Sequence, residues 1–126
     1  ELIANKNGYY LGVGYSRDLA KVYGTKISDK WHEVRLRNNV DARLISYDDP
    51  ESKEYFRMRT RQWKKFHIRF LSREICGPAC ATVSNDLMAT FIYTEGSFKV
   101  VVNRNKETIN AYKKHFERLW SMAKER

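Results

Sequence analysis

Two periodicities alternate along this chain, and together they predict most of its elements. Between residues 79 and 102 the sequence is almost continuously apolar. Leu87 to Tyr93 is a run of β-branched, aromatic and small residues, and Phe98, Val100 and Val102 then recur at a strand's period of two. Thr94-Glu95-Gly96 suits a hairpin connection. Ser84-Asn85-Asp86 is a second turn signal, so Ala79 to Val83 is predicted as one more short strand. A run this apolar is expected of strands buried on both faces, which makes this meander the expected centre of a sheet.

Upstream the pattern alternates between strand and helix. Tyr9 to Tyr15 reads as a first strand, and Val40 to Tyr47 as a second. Between them Ser28 is a suitable N-cap for a helix over residues 29–37, with Trp31 and Val34 three apart on one face and Asn38-Asn39 closing it. Residues 16–27 are ambiguous, with a short helix over 18–23 ended by Gly24 as one reading. A strand, a helix and a strand in this order favour parallel pairing of the two strands. Asp48-Asp49-Pro50 then starts a helix near Glu51, and Phe66, Ile68 and Phe70 give a third strand. The chain ends on its clearest helix. Asn105 caps it, and Ile109, Tyr112, Phe116, Leu119, Trp120 and Ala123 form one apolar stripe. The predicted class is α/β, a mixed sheet in the order β-α-β-α-β-β-β-β-α flanked by helices and ending in a long amphipathic helix.

At 126 residues, with 42% hydrophobic and 31% charged positions, the chain suits one globular domain over 1–126. No apolar run approaches the ~20 residues that span a bilayer, and a cytoplasmic setting is expected. The opening Glu1-Leu-Ile-Ala-Asn-Lys-Asn-Gly8 looks like the end of a helix, which suggests the C-terminal part of a longer protein. The formal charge of +9 is uneven: residues 51–73 hold eight Lys/Arg against two Glu, or +6. Such a segment attracts polyanions, and Arg57, Arg59, Arg61, Lys64 and Lys65 are the candidate phosphate contacts. The plainer alternative is a solvated face, since no base-stacking aromatic pattern accompanies the charges.

Candidate chemistry is sparse. Gly12-Val13-Gly14 lacks the third glycine and following helix of a phosphate loop, and reads better as a strand whose small residues pack closely. Cys76 and Cys80 lie in Cys-Gly-Pro-Ala-Cys; two free thiols, a disulfide and half of a zinc site all suit that spacing. No second cysteine pair exists, and His32, His67 and His115 are far apart in sequence, so no metal or cofactor is expected. His67 and Arg69, alternating on one strand, are candidates for holding an anionic ligand, with Asp86 as a further candidate.

Taken together, the strand Leu11-Gly-Val-Gly14, the passage from Trp31 through Arg37-Asn-Asn-Val40-Asp-Ala-Arg43, the turn Ser84-Asn-Asp86 and the closing Phe116-Glu-Arg-Leu-Trp120 resemble a known family. The chain looks like the effector domain of archaeal TrmB-like transcriptional regulators, a degenerate phospholipase D-like half. Active phospholipase D-like enzymes use His-x-Lys-x(4)-Asp. Counting back from Asp86 at that spacing finds Ala79 and Ala81, which supply neither a nucleophile nor a cation, so no enzyme is expected and no catalytic residue is assigned. The resemblance implies an absent N-terminal winged helix that reads DNA, with this domain as dimeriser or sensor of a small-molecule effector. A homodimer is the expected assembly, with Tyr9, Tyr10, Tyr93 or Trp63 as candidate contact residues. Direct non-specific nucleic-acid binding through residues 51–73, and a residual phosphodiesterase or nuclease, are the alternatives.

Overall fold

Tyr9–Tyr15 forms strand β1, and Asp41–Tyr47 forms β2 parallel to it, Tyr9 pairing with Asp41 and Val13 with Ile45. The structure is a computed structural model that describes residues 6–77, 79–94 and 97–126, without the side chains of residues 93 and 94. The opening helix end and the hairpin residues Glu95-Gly96 therefore fall wholly or partly outside the described residues. Between β1 and β2 runs helix α1, Arg17–Arg37, capped by the Ser16 hydroxyl accepting from the Leu19 amide at 3.1 Å. It bends at Gly24, whose φ of 79° is non-helical. The expected cap, Ser28, lies inside α1 and is buried. The helix begins earlier because Ser16 already satisfies its first amides.

Asp49 caps α2, Pro50–Gln62, and Pro50 occupies the first turn, where its missing N–H costs nothing. Strand β3, Phe66–Leu71, adds parallel to β2; a single turn, α3, Arg73–Cys76, leads to β4, Cys80–Val83. Strands β5, Met88–Thr94, and β6, Ser97–Asn103, follow as an antiparallel meander, and α4, Lys106–Met122, closes the chain from its Asn105 cap. Among the described residues the sheet order is β3-β2-β1-β4-β5-β6. The predicted element order holds, with α3 added.

The meander is central only in part: β4 pairs with β1 at the middle of the sheet and β5 follows it, whereas β6 lies at the edge. Phe98, Val100, Val101 and Val102 are each about half exposed (47–55%). An apolar run identifies a strand but not its neighbours, and here one run extends from the centre of the sheet at β4 to its edge at β6.

Strand alternation divides the core between two faces. Tyr10, Ala42, Leu44, Phe66, Phe70 and Cys80 face α1 and α2. Leu11, Val13, Ile45 and Val83 face α4, which delivers Ile109, Phe116 and Leu119 from the predicted stripe. Cys80 thus belongs to one face while Cys76 packs against the other, and both are free thiols rather than a disulfide. Among the described residues no cluster of His, Cys, Asp and Glu is placed to hold a metal ion. Nor, among those residues, is any helix long and apolar enough to cross a membrane.

At Gly14 the backbone leading into β4 lies close against β1. The φ of Gly14 is 91°, and a Cβ there would stand 2.5 Å from the Ala79 carbonyl oxygen and 3.1 Å from Cys80 Cα, both backbone atoms. The register of β1 on β2 slips at this point, between Val13 and Tyr15. Gly14→Ala is expected to lower stability by about 2–3 kcal/mol, from strain plus the clash. Gly24 has a similar φ of 79° but open space around it, so Gly24→Ala should lose only the backbone-strain part, about 1–2 kcal/mol. Urea midpoints of the two variants check the difference.

Candidate functional site: an aromatic chamber

The residues proposed from sequence as an anion site do not converge. His67 lies exposed on β3 and meets Asp41 at 3.2 Å. Arg69 instead anchors α4: its Nη1 donates to the Trp120 carbonyl at 2.8 Å, and its guanidinium lies 4.5 Å over the Trp120 ring. Arg43 supports the same helix through Glu117 at 2.5 Å. Asp86 is in the turn after β4, and β3 and β4 are three strand spacings apart, about 14 Å.

Of the five candidate phosphate contacts, Arg57, Arg61, Lys64 and Lys65 are exposed but Arg59 is only 4% exposed. Arg57 and Arg61 border a shallow groove that also contains Asp48, Glu51 and Glu54, so the surface there is of mixed sign. Lys65 is hydrogen-bonded to Asn39. Burial turns Arg59 inward because α2 presents it at the same face as Tyr55, Phe56 and Ser52.

What the fold does build is a chamber of about 300 Å³ between α1, α2 and the sheet. Tyr10, Leu44 and Phe66 come from the sheet, and Phe91 and Phe98 from β5 and β6; Leu19, Tyr23, Ile27 and Trp31 come from α1, and Tyr55 and Phe56 from α2. Two features of sequence open it. The bend at Gly24 redirects α1 between Tyr23 and Ile27, and Gly12 leaves room for Tyr15, whose ring would meet a Cβ there at 2.5 Å. Walls of this kind, with few polar groups, are those of small-molecule pockets, and the volume is at the lower end of their range.

Polar groups sit at two places in the lining. On the sheet side the Tyr10 and Tyr15 hydroxyls are 2.5 Å apart, with the Thr82 hydroxyl near Tyr10 and the Cys80 thiol near Tyr15. Burial raises the pKa of both phenols and of the Cys80 thiol, which keeps all three neutral. On the helix side Arg59 Nη2 donates to Asp29 at 2.6 Å and Ser28 at 3.0 Å, and Nη1 to Gln62 at 2.9 Å. Its Nε is buried with no hydrogen-bond partner among the described residues. His32 also lines the chamber, stacked on Trp63 with ring centroids 4.8 Å apart. Burial first, then the positive Arg35 and Arg59, lower its pKa from 6.5 to about 3.

Sequence reading missed the chamber because its lining comes from seven elements. The signal available was the density of aromatics at Tyr10, Tyr15, Tyr23, Trp31, Tyr55 and Phe56, more than two helices need to pack on a sheet. The chain matches no family model, no curated protein and no solved structure at a significant level.

Proposed function

We propose that this chain is a non-catalytic, effector-binding domain, and that the chamber between α1, α2 and the sheet is its ligand site. The observation that carries this reading is a preformed aromatic cavity of about 300 Å³ whose lining includes a buried Arg59 with an unused Nε donor. A buried donor left unpaired is costly, and a ligand acceptor would satisfy it. The ligand class is a compact, mainly apolar or aromatic molecule bearing one acceptor such as a carboxylate.

The same groups favour binding over reaction. A thiol held protonated by burial is a poor nucleophile, and phenols with raised pKa values are poor bases. His32 accepts at Nδ1 from Arg35, and with its pKa lowered to about 3 it stays neutral above the acid range. Ala79 and Ala81, at the spacing of a phospholipase D-like His and Lys from Asp86, agree with a binding role. Through the resemblance to TrmB-like regulators, the effector would act on transcription, with DNA read by a winged helix outside these residues. The coarse α/β architecture with a terminal helix along one face is compatible with that family's phospholipase D-like half.

Titration with naphthoate, followed by quenching of the chamber's Trp31, tests the site. Saturable micromolar quenching is expected, together with an upward shift of the unfolding temperature as the ligand loads the native state. Leu19→Trp, which fills the chamber from α1, should weaken binding by at least about tenfold. Quenching that never saturates, or is unchanged in Leu19→Trp, sinks this reading.

A further inference from the structure

The edge strand β6 departs from what edges of monomeric sheets look like. Such edges are usually blunted by charge, proline, bulges or a covering helix. Between residues 97 and 103 there is one Lys, no Asp or Glu and no Pro, and the β5–β6 ladder runs without a register shift from Met88↔Asn103 to Thr94↔Ser97. Val100 and Val102 lie on the same face as Phe91, and Val101 on the other; all three valines are about half exposed, with Ile92 at 39% beside them on β5. The core clusters under α1, α2 and α4 include no residue of β6, so among the described residues apolar surface is open on both faces of this edge.

We propose that β6 is the seat of a second copy of this chain, paired antiparallel about a two-fold axis at Val100. Three observations select a like copy. The strand is nearly self-complementary: with Val100 at the axis, Phe98 falls opposite Val102 of the second copy and Lys99 opposite its Val101, so no charge meets its own image. In a chain of +9 net charge, most faces repel a second copy, whereas β6 and its flank on β5 carry a single cation between them. The exposed parts of Ile92, Phe98 and the three valines, with Ile27 (63% exposed), which lines the chamber together with Phe98, amount to roughly 500 Å². A stable interface buries ~800 Å² per partner, and the strand's backbone edge and the Lys99 stem make up the difference.

This surface replaces the aromatic contacts expected from sequence. Tyr10 is 4% exposed inside the sheet, Tyr9 and Trp63 are half-buried against the core, and the Tyr93 side chain lies outside the described residues. On the ligand-site reading above, Phe98 belongs to both chamber and interface, so dimerisation would also lengthen the chamber wall.

Sedimentation of the ligand-free 126-residue chain tests the interface independently of any ligand. A concentration-dependent monomer–dimer equilibrium is expected. The double substitution Val100→Glu, Val102→Glu should weaken it by at least about a hundredfold, with an unchanged circular dichroism spectrum because both positions are exposed in the monomer. In a second measurement, Val100→Cys should form a disulfide between copies under mild oxidation, since only a two-fold at this residue brings the two thiols together. A wild-type chain that remains monomeric up to sub-millimolar concentration overturns the proposal. So does a dimer that survives the double substitution, or a Val100→Cys dimer that forms no cross-link. The chamber is lined within one copy, so a failed dimer leaves naphthoate binding to be decided by its own titration.

Discussion

Replacing Arg35 by alanine is expected to destabilise the fold by about 3–5 kcal/mol, a large share of the ~5–15 kcal/mol that holds a domain of this size together. Arg35 is fully buried near the end of α1, where sequence would place it as an ordinary basic residue of the last turn. Its Nη1 donates to the carbonyls of Val40 at 2.8 Å and Lys65 at 2.9 Å, and its Nη2 to that of Lys64 at 2.8 Å and to His32 Nδ1 at 3.0 Å. Those three carbonyls lie where the chain enters β2 and β3, so one guanidinium ties α1 to the start of two parallel strands. Burial lowers its pKa to about 10, which leaves it charged at neutral pH. The ring faces of Trp31 and Phe66, 5.5 and 5.8 Å away, add cation–π attraction.

Alanine would take the guanidinium from all three carbonyls at once. That of Lys65 keeps the Ala42 amide at 3.0 Å, whereas those of Val40 and Lys64 lose the Arg35 donor, at about 1–3 kcal/mol for each group left unsatisfied. The buried guanidinium's packing is lost as well. Lysine keeps the charge but not the planar fork, so Arg35→Lys should recover only part of the loss. Denaturant unfolding of the three proteins gives the ordering wild type, then Lys, then Ala. If Arg35→Ala lies within 1 kcal/mol of wild type, about the net worth of a single hydrogen bond, the tie is not structural.

Arg35 also illustrates what sequence periodicity conveys and what it does not. The apolar stripe from Ile109 to Ala123 predicted α4 and the face it buries, because every position on that stripe is hydrophobic by itself. The β1–helix–β2 passage was legible for a similar reason: caps, turns and β-branched runs act within a few residues. On α1 the inward positions are Ser28, His32 and Arg35 as well as Trp31, and a polar stripe carries no such signal. Their burial is decided by partners about 30 residues away, Arg59 for Ser28 and the Lys64 and Lys65 carbonyls for Arg35. The chamber was invisible on the same account. The exposure of β6 was missed for a different one, since strand order is a property of the sheet and not of the strand.

Acidification should destabilise this protein through His32, and the sign follows from its position. His32 is neutral in the folded state, with a pKa lowered from 6.5 to about 3 by burial and by the charges of Arg35 and Arg59. Asp29 acts in the opposite direction, but less strongly. Trp31, Trp63 and Phe66 fill the remaining contacts and supply no charge to stabilise an imidazolium. In the unfolded chain the same imidazole protonates near pH 6.5. Between pH 6.5 and about 3 the unfolded state therefore binds one more proton than the folded state, and stability falls as pH falls. The slope approaches ~1.4 kcal/mol per pH unit, and the loss reaches ~4–5 kcal/mol near the lower end of the window. Above pH 6.5 this contribution is flat, because His32 is then neutral in both states.

His32→Gln separates this effect from the titration of carboxylates. The Gln side-chain carbonyl can still accept from Arg35 but binds no proton, so the variant should lose the part of the slope that begins at 6.5 while keeping any acid loss common to both proteins. Urea midpoints taken at half-unit steps across the window provide the test. Parallel curves for wild type and His32→Gln would show that His32 remains protonatable in the fold. Curves that converge as pH falls would show that the fold excludes the proton, and that the imidazole beside the chamber presents only a neutral edge to whatever binds there.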